Sequence, residues 1–431
     1  MTYYFRTLGN VFRRHPAFSF LIIIIISIGT AASTSMIAVL YTLHADPLPG
    51  LSDRIFHPQL EPSVAGHSPS ASLPDSLMWL DAMNLLHASA GKRKAVILEG
   101  QVTVVPQAGD AHSYFAKAVY TQQTFFGMFQ TPFAAGGAWN PAADEQGAHV
   151  AVVSSASAIK AFGQTDVVGR VIRLGKSDFQ IVGVLGDWDP HPRFYDLANG
   201  AFAPADDVFL PMKTSRELGM SPSASPACWG NGMPDFNDLE HAPCTWVEFW
   251  VELESGTQRD SYLAFLRHYV SQQKALGRFY GAPRVKLSNV TEWLSSKNIV
   301  PGSARLQAFI AYSFLLICIL NASGLLLVMF MRRQRELGLR RTLGATKRQI
   351  VFQLVAEVSG LALISALSTC LWTWCLLRVI RLRPESYYAY VVADKNMVFA
   401  GLTLSLLATL IATFIPAWQV TRGSPYAMLK S

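Results

Sequence analysis

Apolar and polar positions are patterned on two length scales in this chain. On the long scale, four stretches contain no Asp, Glu, Lys or Arg: 16–43, 306–331, 358–377 and 396–420. Each holds about 20 or more residues, enough for a helix to cross a hydrocarbon core of about 30 Å. On the short scale, the long interval after the first stretch reads as brief β-branched runs broken by turn residues, with occasional helical periods. The predicted fold class is therefore a membrane protein with four transmembrane α-helices, arranged 1 + 3, and a large mixed α/β extracytoplasmic domain between helices 1 and 2. The segments are 1–15 (N-terminal), 16–43 (helix 1), 44–305 (the inserted domain), 306–331 (helix 2), 332–350 (loop), 351–377 (helix 3), 378–395 (short loop), 396–420 (helix 4) and 421–431 (tail).

A cleaved signal peptide is the alternative for the first stretch, because Arg13 and Arg14 precede it. Its apolar run continues past Ile26 through Met36, Ile37, Val39 and Leu40, longer than the apolar part of a signal peptide, and a retained helix is expected. Positive residues resist translocation, so the loop carrying Arg332, Arg333, Arg335, Arg340, Arg341, Lys347 and Arg348 is assigned to the cytoplasm, together with Arg6, Arg13 and Arg14. Both termini are then cytoplasmic and the inserted domain lies outside. Arg378, Arg381, Arg383 and Lys395 in the short outer loop oppose this assignment and are outnumbered. The net charge of +7 reflects these flanks, for which anionic head groups suffice, and no nucleic-acid partner is needed.

The cysteines divide in the same way. Cys318, Cys370 and Cys375 fall in membrane helices, where a thiol acts as a small apolar group. Cys228 and Cys244 lie in the exported domain among Pro226, Gly230, Gly232, Pro234 and Pro243. In an oxidising compartment they are expected to pair, closing a loop of about 15 residues and contributing about 3 kcal/mol; the alternative is two free thiols.

Within the domain, 102–105, 115–120, 150–153 and 246–253 read as strands, and 261–275 as a helix. Ser154 and Ser155 are placed to cap an amphipathic helix holding Ile159 and Phe162. The clearest hairpin has arms 170–174 and 179–185 around Gly175-Lys-Ser-Asp178. That hairpin contains the one nucleotide-like string, Gly169 to Gly175-Lys176-Ser177. A phosphate-cradling P-loop needs one residue fewer between its glycines and a helix after the serine, so a plain turn is predicted, and ATP hydrolysis by this chain alone is not expected. Asp187, Asp189, His191, Asp196, Asp206 and Asp207 could ligate a metal by residue type, but no ligand spacing supports it and a solvated acidic loop is expected. Trp79, Trp139 and Trp188 are read as core rather than as a ligand groove. No catalytic constellation is assembled. Asn321 and Glu357 are the polar residues of interest in or beside the membrane helices; an interfacial or helix-pairing role is expected for Glu357.

The basic loop is the most specific segment. It reads as a short amphipathic helix stopped at Gly344, followed by a second helix start at Thr346 and Gln349, which have capping-box spacing. Glu336 and Arg340 are one turn apart and can pair. Leu337, Leu339 and Leu343 give it apolar contacts. Residue chemistry alone leaves open a docking helix or a basic helix lying on anionic lipid.

The run Arg335-Glu-Leu-Gly-Leu-Arg-Arg-Thr-Leu-Gly-Ala345 resembles the signature of FtsX-like/MacB-type ABC transporter permeases, departing from it at Leu337 and Thr342. The run Leu8-Gly-Asn-Val-Phe-Arg-Arg-His-Pro-Ala17 resembles the family's basic entry to helix 1. Pro416-Ala-Trp-Gln-Val-Thr-Arg422 with Pro425 and Leu429 resembles its C-terminal close. Phe125-Phe126, 150–155, Gly169-Arg170 and 181–184 resemble the MacB periplasmic core, from which 191–244 departs.

The resemblance implies a permease subunit of the bacterial inner membrane without a fused ATPase. Its implied partners are a cytoplasmic ABC ATPase dimer, which binds ATP and Mg, and a second permease copy in a homo- or heterodimer. A periplasmic membrane-fusion adaptor and an outer-membrane channel complete the set. Coupling would fall on Arg335, Glu336, Leu337, Gly338, Leu339, Arg340, Arg341, Leu343, Gly344 and Ala345. Motion would pass through helix 2 and an extension over 290–304. Tripartite efflux of a peptide, antibiotic or lipid-like substrate is the leading expectation. The alternatives are an FtsX-like scaffold that activates a periplasmic hydrolase and a lipoprotein-releasing permease.

Overall fold

A computed structural model describes residues 16–61, 72–107, 112–223, 225–229, 238–279, 284–392 and 394–422. Arg6, Arg13, Arg14, the run beginning at Leu8, the glycines and proline at 230–234, and Pro425, Leu429 and Lys430 lie outside the described residues. The chain divides into a helical unit (1–45 and 300–431) and an α/β unit (46–299).

Four long apolar helices build the first unit: Pro16–Leu43, Gly302–Met331, Lys347–Ile380 and Lys395–Arg422. The first and fourth pack against all the others, which leaves the second and third at opposite corners. The first helix is the most enclosed, and its buried face is small or hydroxylated: Ser27, Gly29, Thr30, Ser33 and Thr34. Small side chains let membrane helices approach closely, and their hydroxyls can bond across the gap. Ser27 donates to the Ser365 carbonyl at 3.1 Å, Thr30 and Thr369 share a bond of 2.8 Å, and Ser33 donates to the Ala311 carbonyl at 3.1 Å. A Cβ on Gly29 would stand 2.8 Å from the Cys318 sulfur, so that crossing needs glycine.

Twelve strands form the described sheet of the α/β unit: β1 (Ile55–Leu60), β2 (Leu77–Met78), β3 (Arg93–Val105), β4 (Tyr114–Thr121), β5 (Phe133–Gly136), β6 (Val150–Ser154), β7 (Val171–Leu174), β8 (Ser177–Leu185), β9 (Val208–Pro211), β10 (Ala227–Cys228), β11 (Cys244–Glu252) and β12 (Val285–Asn289). The main path runs β12-β1-β11-β3-β4-β9-β6-β8-β5. β3 is the shared spine. It pairs with β11 through its first residues (Ile97 opposite Glu248) and with β4 from Leu98 onward, and its end also meets β7. Both of its faces are covered. Val96, Leu98, Val102 and Val104 join one core, while Ala95 and Ile97 join a second that is rich in aromatics, including Phe125, Phe209, Trp250 and Trp293. Ser154 caps the helix Ser155–Phe162. Its buried face is Ser157, Ala158 and Ala161, and Ile159 points outward, a correction to the predicted amphipathic face.

Three further expectations change. The hairpin turn is only Gly175-Lys176, because Leu174 pairs with Ser177 and Arg173 with Asp178; a φ of 60° at Gly175 permits this tight reversal. No extension of the second membrane helix runs over 290–304. A separate short helix, Val290–Ser296, ends before Asn298 at φ 49°, and Pro301 then precedes the start of Gly302–Met331. The acidic loop is not uniformly solvated: Asp196 and Asp206 are buried around the guanidinium of Arg193, which also holds Glu99 at 2.9 Å. A buried carboxylate is tolerated only when paired, and Arg193 supplies that pairing. Trp139 is buried with its indole N–H on Asp144, Trp188 packs on Phe125 and Tyr195, and Trp79 stacks on Trp246. Cys228 and Cys244 are joined by a disulfide across the β10–β11 pair.

Candidate functional site

The basic loop folds as a nine-residue helix, Gln334–Thr342, followed by a turn into the third membrane helix. Gly344 at φ 99° closes it, a left-handed conformation that costs a residue with a Cβ free energy. Thr346 and Gln349 form the reciprocal capping box, with bonds of 2.9 and 3.3 Å. The capped helix is therefore the membrane helix itself, which begins at Lys347.

Each side of the loop segment carries both apolar and charged residues. Leu337 is 1% exposed and sits in the bundle core with Ile350, Leu354, Val358 and Ala417, and Gly338 is buried beside it. Leu339 and Leu343 point away from the bundle, 55% and 79% exposed. Arg335 and Gly344 are also on the outer side, and Ala345 is half-buried.

The polar residues below form a chain of bonds that only partly coincides with the predicted coupling set. Glu336 accepts from Arg340 at 2.8 Å and from Arg333 at 3.2 Å. Arg340 donates to Gln353 at 2.6 Å, Gln353 donates to Glu357 at 2.9 Å, and Arg333 also reaches Glu357. Arg341 donates to the carbonyl of Thr421 on the fourth membrane helix at 3.2 Å. Burial opposes the charge on Arg333, but the bonds it donates to Glu357 and Glu336 outweigh that and its pKa is raised. The loop helix is thus fastened to the third helix by a network through Arg333, Glu336, Arg340, Gln353 and Glu357, and to the fourth by Arg341. Arg333 and Gln353 were not among the predicted residues. Their signal is Gln353 one helical turn before Glu357, which puts both on the face turned to the loop. Asn321 is exposed on the outside of the bundle.

Residues 19–268 match the model of the MacB-like periplasmic core domain, and residues 308–425 match that of the FtsX-like permease C-terminal domain. The chain belongs to the MacB/FtsX permease family. It is therefore an ABC transporter permease, a multi-pass protein of the inner membrane. Among curated relatives, the pyoverdine export ATP-binding/permease protein PvdT of Pseudomonas aeruginosa is 21% identical over 373 residues, 85% of this chain and 50% of that protein. The macrolide export ATP-binding/permease protein MacB of Bdellovibrio bacteriovorus is 27% identical over 214 residues, 48% of this chain and 28% of that protein. The chain spans about half the length of the first of these relatives and less of the second. The crystal structure of the periplasmic region of MacB from Actinobacillus actinomycetemcomitans aligns with 60% of this chain and 99% of that one, at 12% identity and a TM-score of 0.37.

Proposed function

We propose that this permease couples ATP hydrolysis on a separate cytoplasmic ABC ATPase dimer to conformational work in its α/β domain, as half of a permease pair that exports a peptide, antibiotic or lipid-like substrate. ATP and Mg belong to the ATPase. The loop helix Gln334–Thr342 faces the cytoplasm, as its basic residues favour, which puts both termini inside and the α/β domain in the periplasm. The observation that carries the reading is the two-sided loop helix: Leu337 and the arginine–carboxylate network fasten it to the bundle, while Leu339 and Leu343 remain exposed beside Arg335. An exposed apolar pair on a held helix is suited to seat in a groove of a partner. Force on it passes directly into the third and fourth membrane helices. Glu336, Arg340 and Arg341 then position the docking face, and the contact itself falls on Leu339 and Leu343.

Export is favoured because both relatives above are named for it. A membrane-fusion adaptor and an outer-membrane channel would complete the path. Affinity purification from native membranes in mild detergent tests this reading. The expected result is a stoichiometric P-loop ATPase together with an adaptor. An ATPase with a periplasmic hydrolase would replace export by signalling, and no ATPase under conditions that preserve a control complex would contradict coupling.

A further inference from the structure

Away from the loop, the α/β unit carries a cleft of about 770 Å³ beside the disulfide, bordered by Asp75, Trp229, Thr245, Glu248, Trp293 and Lys297. That volume is in the range of small-molecule sites. Its floor is β11, from which the Glu248 side chain rises only 15% exposed. One wall is the indole of Trp293, and the opposite wall includes Cys228 and Trp229, tied to β11 by the disulfide.

The charges around this cleft do not balance. Asp75 is paired with Lys297, and Asp196 behind the wall is paired with Arg193. Lys297 is further held over the face of Trp293, 4.5 Å from the ring centre. Among the described residues, the cationic candidate within ion-pair distance of Glu248 is His57, at 4.0 Å. His57 is fully buried between Trp250 and Trp293, with ring centres 4.9 and 4.1 Å away, and burial lowers its pKa to about 4. Its ring nitrogens lie on the Phe249 and Asp75 carbonyls, at 3.1 and 2.6 Å, so neither is directed at Glu248. Burial, with Asp196 and Asp75 nearby, pushes the Glu248 carboxyl well above its usual pKa; Lys297 and a bond from Ser76 act in the opposite direction.

We propose that this cleft binds a small amphiphilic molecule bearing a protonated amine, with its ammonium group on the carboxylate of Glu248 and its apolar body against Trp229. An ammonium supplies the countercharge that the protein withholds, and indole faces favour a cation beside them. Lowering the pH protonates Glu248 and removes the charge that the ammonium meets, so affinity for the amine falls with pH. The site does not depend on ATPase coupling, since binding is read on the permease alone without ATP.

The test uses the full-length chain in detergent, with 2-(1-naphthyl)ethylamine and its neutral counterpart 2-(1-naphthyl)ethanol as probes in titration calorimetry, corrected against protein-free micelles. A charge-assisted bond predicts roughly 10-fold or greater preference for the amine at neutral pH. That preference should shrink as pH is lowered, while alcohol binding stays level, and it should be absent in Glu248→Gln. Equal affinity for the two probes, or an amine preference that survives in Glu248→Gln, would overturn the proposal. Should the variant fail to fold, the amine-to-alcohol ratio of the unmutated chain and its pH slope decide the question.

Discussion

His57 and Glu248 are neighbours whose titrations act on stability with opposite signs. Below pH 6.5 an unfolded chain protonates His57, while the folded chain resists until about pH 4, so this histidine makes the fold less stable as pH falls through that window. Glu248 keeps its proton in the folded state after an unfolded carboxyl would have lost it, so it makes the fold less stable as pH rises through its own window. In the shared range the two slopes oppose each other. Glu248→Gln removes one of them. The variant is expected to lose stability, on the order of 3 kcal/mol, between pH 6.5 and 4, read by hydrogen exchange of β1 and β11 amides. A pH-independent variant would contradict the assignment of a neutral buried His57. Neither residue stood out in the sequence, because β1 and β11 are distant in the chain and only the sheet brings them together. Arg193 was hidden for the same reason: its partner Glu99 lies on β3, and the neighbouring aspartates alone read as an exposed loop.

At the scale of elements, local chemistry was legible wherever it was self-contained. The Ser154 cap, the Thr346–Gln349 box and the Glu336–Arg340 pair each need only a few consecutive residues, and each is present. What required a second element was not legible. The apolar face of Ser155–Phe162, the length of β3 and the fastening of Arg333 to Glu357 are all set by packing partners. The break between Val290–Ser296 and Gly302–Met331 has its local signal in Pro301, which disfavours helix at the residue before it. The Arg333–Glu357 pair has its own consequence. Glu357 is 5% exposed, so Arg333→Met strands a buried carboxylate, at a cost of about 3–5 kcal/mol for breaking such a pair. Hydrogen exchange across 334–342 should accelerate while that of the α/β unit is unchanged, and adding Glu357→Met should restore most of the protection. Unchanged exchange in the single variant would mean that Leu337 alone holds the loop helix.

For the whole molecule, the division into one membrane helix, an α/β domain and three further membrane helices was readable from hydropathy, because a hydrocarbon core imposes length and apolarity on any helix that crosses it. The basic loop stood out because its run of residues is specific at the level of the family. Direction within the loop was not readable: three leucines on and just after one short helix gave no means to tell the buried anchor Leu337 from the exposed Leu339 and Leu343.

That distinction gives the most direct test of coupling. ATP hydrolysis by the proposed partner ATPase should be measured with the permease reconstituted in lipid, comparing the parent chain with Leu339→Glu/Leu343→Glu. Both substitutions lie on the exposed face and leave the Arg333–Glu357 network intact, unlike charge reversal at Arg340 and Arg341, which would also break internal bonds. The expected result is that the variant inserts and folds normally, fails to retain the ATPase, and leaves hydrolysis at the rate of ATPase without permease. Full retention and permease-dependent hydrolysis in the variant would contradict docking through this helix.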